Sequence, residues 1–457
     1  MRMKFNKSSQ LLLVSAAGLL GALLLTACSQ FTQTLTVDFV FVASSKAAGS
    51  NNYGEIDIFE VNSESGHMRQ IPASPVPSGG RLPVAEAVSS DNKDLFVVNQ
   101  DDNNIVQFVI GNDGKLYPYN TVNTPGVFPL AIAVNATNLF VVDTYQPLPS
   151  CSTAAPCSGS IAVFQLTAGG SSSSAPCTAT VCIVTPAVTN PTLSASYWPL
   201  TLAGKPSDVI VPTAVSILGS GGYVYVTAYD SSVTPSVGYV FGFSVAPPST
   251  ATVPPGGTCP LSGPVSPNIL PSGTLCPLNG GAPFAAGTQP SAIASSSSSS
   301  AAYLYVTDLK NNDVLGYTVA ATTGLLAPLA GSPFPAGNAP SAIVVDPSFP
   351  YAYVANSTDS SITAYSMSSG ALTRLGSSTT GGLSYPTGLQ PVAIGIDPST
   401  NHFLYTANFL GNNVSGFELS QTAGTLLDAQ LSPFAANDQP TAVAAIPHGG
   451  TGSGIQP

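Results

Sequence analysis

Short apolar runs alternate with polar turns along most of the chain, and in its second half they settle into a repeat. From Pro340 the order is a small apolar run (Ala342, Ile343, Val344, Val345) and an Asp346-Pro347-Ser348 turn. Then come Tyr351-Ala352-Tyr353-Val354-Ala355-Asn356, a polar loop, and Ile362-Thr363-Ala364-Tyr365. Short β-branched and aromatic runs punctuated by turn chemistry predict antiparallel strands. The unit recurs at Pro290, Pro391 and Pro440, so the spacings from Pro290 onward are 50, 51 and 49 residues. A period of about fifty in an all-β chain predicts a propeller or a solenoid.

Earlier anchors of the same kind are read at Pro83 (PVAEAV), Pro129 (PLAIAV) and Pro206 (PSDVIV), making seven. The last anchor has an inner strand but nothing after it. The N-terminal runs Asp38–Val42 and Glu55–Phe59 are strands with no anchor before them. One orphan inner strand and a set of orphan outer strands complete a single blade, and closing the ring removes exposed sheet edges. The expected fold is therefore all-β: a seven-bladed β-propeller of four-stranded antiparallel blades, with N- and C-terminal strands sharing one blade. It spans residues 37–447 and is followed by a tail, 448–457.

The Tyr-Val-Thr-Asp at 305–308, the Tyr-Val-Ala-Asn at 353–356 and the Phe-x-Gly-x-Leu-like spacing after them carry a resemblance. Over residues 35–447 or so the chain resembles the YVTN-repeat, lactonase-like seven-bladed propellers. The motifs are structural, so they speak for the fold more than for an activity. The resemblance implies hydrolysis of a sugar or related lactone, in the manner of a 6-phosphogluconolactonase. It implies inward carboxylates, with Arg or His to polarise the ester. Here only Glu86, Asp208 and Arg81 are plausible counterparts.

Arg2, Lys4 and Lys7 precede an apolar stretch, Leu11 to Leu25, that is short for a spanning helix. Leu25-Thr26-Ala27-Cys28 resembles the lipobox of bacterial lipoproteins. That implies a signal peptide over 1–27, lipidation of Cys28, a linker over 28–36 and a lipid anchor at the cell envelope. Ser29 after the Cys points to the outer membrane. Removing 1–27 takes away three basic residues and no acidic one, so eight basic against 22 acidic residues leave −14. A sparse acidic surface argues against nucleic acid and against broad contact with anionic lipid. The six remaining cysteines form three neighbouring pairs, Cys151/Cys157, Cys177/Cys182 and Cys259/Cys276, within Pro-, Ser- and Gly-rich stretches. In an exported chain these read as disulfides stapling long loops, although six thiols admit fifteen connectivities. The lengthened anchor spacings place insertions at about 145–192 and 230–273, on blades three and four, where they are either recognition loops or low-complexity padding.

The repeats supply their own comparison for candidate chemistry. Two and three residues after the anchor, most blades carry Ala and then Ile or Val. Asp208 and Glu86 are the exceptions. A carboxylate on an innermost strand loses solvation, and such groups are functional candidates; a structural ion pair with Arg81 or Lys205 is the plainer reading. Just before the anchors stand Leu82, Phe128, Lys205, Gln289, Ala339, Gln390 and Gln439. Lys205, Gln289, Gln390 and Gln439 either line the channel mouth and bind a polar ligand or tie adjacent blades together. The Asn- and Asp-rich hairpins lack the alternating carboxylates of a calcium loop and read as turns. No histidine pair, nucleophile elbow or phosphate loop is present, and no metal or cofactor is expected. The sequence thus favours a monomeric, membrane-anchored binding or scaffolding module with a protein, carbohydrate or small-molecule ligand. The alternative is a lactonase in which Glu86 or Asp208 activates water while Arg81 or Lys205 stabilises the oxyanion.

Overall fold

The structure is a computed structural model, and it describes residues 37–169, 179, 181–246, 270–296, 301–376, 382–397 and 403–447. The expected signal peptide, Cys28, Cys177, Cys259, His402, His448 and the tail lie outside these residues. Seven antiparallel sheets follow one another. Six of them gain a short fifth strand that turns back onto the third.

Blade one is assembled from both ends of the chain. Its inner strand, Pro440–Ile446, pairs with Val37–Ala48 in the register Phe39↔Ile446 to Ala43↔Ala442. Val37–Ala48 then pairs with Tyr53–Asn62, and that strand with Met68–Gln70. The inner strands of blades two to seven are Pro83–Val88, Val127–Val134, Ile210–Ile217, Pro290–Ser295, Pro340–Val345 and Pro391–Ile396. The ring closes as the repeat predicts.

One anchor is corrected. In blade four the register breaks at Pro212/Ala214, as it does at Pro83/Ala85, Pro290/Ala292, Pro340/Ala342 and Pro391/Ala393. Pro212 is therefore the anchor, and Pro206 lies in the preceding loop, after the Leu202↔Lys205 bridge. The sequence reading picked Pro206 because both prolines precede a β-branched run. All seven blades now carry Ala two residues after the anchor, with Ala214 in blade four. Asp208 and Lys205 drop out of the two rings.

The core is a set of wedges between adjacent sheets rather than a central ball. Ile343 of blade six, for example, packs with Tyr305, Val314 and Leu372. The repeat motif makes these wedges specific. In blades four to seven the first aromatic of the second strand lies on a glycine in the next blade's outer hairpin: Tyr223 on Gly324, Tyr303 on Gly370, Tyr351 on Gly424 and Phe403 on Gly66. Two residues on, the tyrosine hydroxyl donates to that glycine's carbonyl, at 2.8 Å from Tyr225 and Tyr305 and 3.2 Å from Tyr353. A buried hydroxyl needs such a partner, so in blades four to six the motif helps fix the blade's rotation relative to its neighbour; among the described residues the Tyr405 hydroxyl of blade seven has none.

The last motif residue holds the loop entering its own blade. Asp308 accepts the Thr288 and Gln289 amides, and Asn356 accepts that of Gly337. Around the channel, Ser291, Ser341 and Thr441 donate to the carbonyls of Pro340, Pro391 and Pro83 in the following blades.

Candidate functional site

The loops entering the inner strands and the hairpins joining second to third strands emerge on the same face and surround the channel mouth. Their contacts show this directly. Asn103, Asn312 and Asn412 of the hairpins accept the amides of Phe128, Ala339 and Gln439 in the next blades, at 2.6, 2.8 and 3.0 Å. Leu82, Phe128, Ala339, Gln390 and Gln439 all have φ between 53° and 61°. This left-handed backbone is rare for residues with a Cβ, and the interblade bonds hold it in place.

Three cations at the mouth are paired. Arg81 Nε donates to Asp102 Oδ1 at 2.8 Å, its backbone amide donates to Asp102 Oδ2 at 2.8 Å, and its guanidinium also reaches the Asp101 carbonyl at 3.2 Å. Blade six repeats this clasp with neutral chemistry: Asn338 donates from backbone and side chain to Asp359 at 2.6 and 2.7 Å. Arg81 is thus a loop clasp whose side chain remains 49% exposed. The hydrogen bond to Asp102 raises its pKa further; partial burial raises that of Asp102, but the Arg81 contacts outweigh it and hold the carboxyl below its usual range. Lys205 meets Asp208 at 3.4 Å within its loop, and Lys46 pairs with Asp438.

Of the glutamines, Gln439 is tied into the closing blade: its backbone carbonyl accepts from Ser45 at 2.9 Å, and its side-chain oxygen lies 3.5 Å from the Ser45 hydroxyl. Gln289 and Gln390 are held through their backbone amides by Asp308 and Ser360. Among the described residues their side-chain amides make no hydrogen bond, which leaves them available at the rim.

Glu86 is placed differently. It lies on the inner strand of blade two opposite Val97, facing blade one. The matching residues Ile132, Val215, Ile293, Ile343, Ile394 and Val443 all pack into interblade wedges. Neither Glu86 oxygen reaches solvent or makes a well-formed hydrogen bond. Burial pushes its carboxyl well above the ordinary range; the Ala444 amide is the one group opposing the shift. The structure therefore gathers Arg81 with Asp102 and Lys205 with Asp208. No contact links Glu86 to any of them.

Three surface features were not read from the sequence. Phe128 and Tyr145 form an edge-to-face pair at 6.0 Å on blade three; an aromatic just before the anchor was the available signal. Leu389 and Leu410, each 61% exposed, stand together on blade seven. At the opposite end of the channel, Asn135, Thr137, Ser220 and Gly221 border a cleft of about 540 Å³. His67 packs edge-on against Phe434 at 6.0 Å. Among the described residues no cluster of His, Cys, Asp or Glu could hold a metal. Cys151 and Cys157 are bonded, with Cα atoms 5.5 Å apart, and staple the loop above blade three. Cys182 and Cys276 are each engaged in a disulfide, and their expected partners Cys177 and Cys259 lie outside the described residues.

Comparison with known proteins agrees with this architecture. Residues 289–447 match the family model described as lactonase, 7-bladed beta-propeller. No protein of curated function matches the chain. Among solved structures, the chain is similar to a putative 6-phosphogluconolactonase from Bacteroides fragilis, with 18% identity, a TM-score of 0.62 and coverage of 91% of this chain and 99% of that one. It is also similar to the periplasmic gluconolactonase of Pseudomonas aeruginosa, with 16% identity, a TM-score of 0.59 and coverage of 90% and 99%. At such identities the likeness establishes the fold alone. The last three blades and the closing strand carry the lactonase family's sequence pattern, as the YVTN-like motifs predicted.

Proposed function

We propose that the protein is a lactone hydrolase working at the channel mouth, on an aldonolactone or a related cyclic ester. The observation that carries this reading is the family-model match across residues 289–447 on a complete seven-bladed ring. The mouth holds the polar groups such chemistry needs. Water adds to the lactone carbonyl, the proton it sheds passes to a carboxylate, and the ring oxygen leaves and takes up a proton, giving the open hydroxy acid. Asp208 is the proposed acceptor. Arg81 or Lys205 would stabilise the developing oxyanion, and the unengaged amides of Gln289 and Gln390 would bind substrate hydroxyls. Glu86 has no such part, because a general base must reach the attacking water and its oxygens are sealed between blades.

The test uses the purified full chain in detergent with glucono-1,5-lactone and its 6-phosphate as probes. Hydrolysis well above the spontaneous rate is expected, with Asp208→Asn lowering kcat by about 10²-fold or more. If a folded chain opens neither probe, the proposal fails.

One observation favours a second reading, a non-catalytic binding module. Arg81, Lys205 and Lys46 each already face a carboxylate, so the mouth's cations are partly neutralised. In that case the exposed Leu389 and Leu410 and the stapled loop of blade three would meet a partner. Either reading includes the proposed placement at the cell envelope through a lipid on Cys28.

A further inference from the structure

Glu86 lies against the blade that closes the ring. It projects from the inner strand of the first blade made wholly from consecutive sequence. It faces the blade completed by the C-terminal strand Pro440–Ile446. The wedge it borders contains Phe41, Leu95 and Val97, with Val88 and Ala444 at its margin. Glu86 and Val88 lie two residues apart and so share this face. In the other six blades the same position is filled by an isoleucine or valine. Here a carboxyl takes the place of a hydrocarbon, with both oxygens shut away from solvent and no cation in contact.

We propose that Glu86 is a proton-operated latch on ring closure: protonated, it lets Pro83–Val88 pack against Pro440–Ile446, and ionised, it forces these inner strands apart. A neutral carboxylic acid is tolerated in an apolar wedge far better than a carboxylate, which must regain water. An ionised Glu86 is expected to draw water into the gap between the two strands, which come from segments more than 350 residues apart in the chain.

Few titratable groups lie on the strands around Glu86. The strand Pro440–Ile446 carries no titratable side chain, and neither does Val127–Val134 on the other side of blade two. On Asp94–Asn99, Asp94 accepts the Gln107 amide within its own blade. On Val37–Ala48, Lys46 pairs with Asp438 at the mouth, and Asp38 acts on Tyr405 of blade seven, away from Glu86. Asp57 of Tyr53–Asn62 accepts the amide of Asn437 just before the closing strand, and burial raises its pKa to about 6. Asp57 is therefore a second group that could couple pH to this strand, and the variants below keep it intact. The direction is fixed by the shift at Glu86: a raised folded pKa gives stability that is full below the unfolded value and lost as pH rises through the folded one.

Amide hydrogen exchange on the full chain tests the latch. After correction for intrinsic exchange, protection of residues 440–446 in the wild type is expected to fall at least tenfold or so between about pH 5 and about pH 9. Protection of Pro340–Val345 in blade six should stay level. In Glu86→Gln, which keeps the shape without the charge, the seam should lose most of this pH response. Glu86→Ile, which restores the residue type of the other blades, should be protected at both pH values. A pH-independent seam in the wild type would overturn the proposal. So would a response of equal size in Glu86→Gln, which would assign the effect to Asp57.

Discussion

Gly370→Ala is expected to destabilise the protein by about 2–4 kcal/mol, seen as a lower urea midpoint with an unchanged slope. Two penalties act together. Gly370 has φ of 84°, in the turn between Ser361–Ser368 and Ala371–Arg374, where a Cβ is strained. A Cβ there would also lie 2.4 Å from the Tyr303 ring of blade five. That ring cannot retreat, because its blade is fixed two residues on by the Tyr305 hydroxyl bonded to the Gly370 carbonyl. Gly204 provides the control. Its φ is 76°, but nothing lies within 4 Å of the added carbon. Gly204→Ala should cost only the backbone term, about 1 kcal/mol. Equal losses at the two positions would mean that the interblade contact of the motif contributes little.

Asp143→Asn should stabilise the protein in a pH-dependent way. Asp143 lies near the end of the second strand of blade three, at the position where Asn99, Asn356 and Asn408 stand in blades two, six and seven. It is fully buried, and its Oδ2 accepts the Gly126 amide at 3.2 Å. Among the described residues its Oδ1 has no hydrogen-bond partner, and neither does the hydroxyl of Ser160 directly opposite. In blade six the corresponding Asn356 amide reaches the Ser361 hydroxyl at 3.3 Å, so an asparagine at 143 would supply the missing donor. Burial raises the Asp143 pKa to about 7, against the smaller opposing effects of Thr124 and Gly126. Because the folded value is raised, the wild type has the full contribution below about pH 4 and loses it as pH rises to about 7. Asp143→Asn should therefore gain on the order of 2–4 kcal/mol at about pH 8 and little at about pH 4. Thermal melts across this range would show the gap opening. A gap that stays constant with pH would mean the carboxyl is ionised without penalty.

These two sites show what the sequence could reveal. Pro340, Ala342 and the Tyr353–Asn356 run repeat because every blade solves the same local problem, so ring, count and closure were readable. The fourth anchor was misplaced because loop and strand both offer a proline before a β-branched run. Only the register break at Pro212 separates them. Arg81 was legible as a cation near Glu86 in the sequence, but its clasp on Asp102 became interpretable only beside the equivalent Asn338–Asp359 pair. Glu86 stood out as the one carboxyl in a column of aliphatic residues. What it faces was hidden, because Ala444 is brought to it by the closure of the whole ring. Phe128 was read as one of the residues before the anchors, but its pairing with Tyr145 was not legible, because the contact that brings them together is not periodic.

The central claim is a single ring closed by Pro440–Ile446 alongside Val37–Ala48. Joining Ala43→Cys and Ala442→Cys tests it most directly, since these residues are paired across the closing strands. Paired antiparallel positions bring Cα atoms within about 4.5–5.5 Å, which a disulfide spans. Peptide mapping by mass spectrometry after mild oxidation is predicted to find the 43–442 link within one chain, at high yield in the folded protein and lost on denaturation. Free thiols at both positions, or links only between separate chains, would contradict the closed ring.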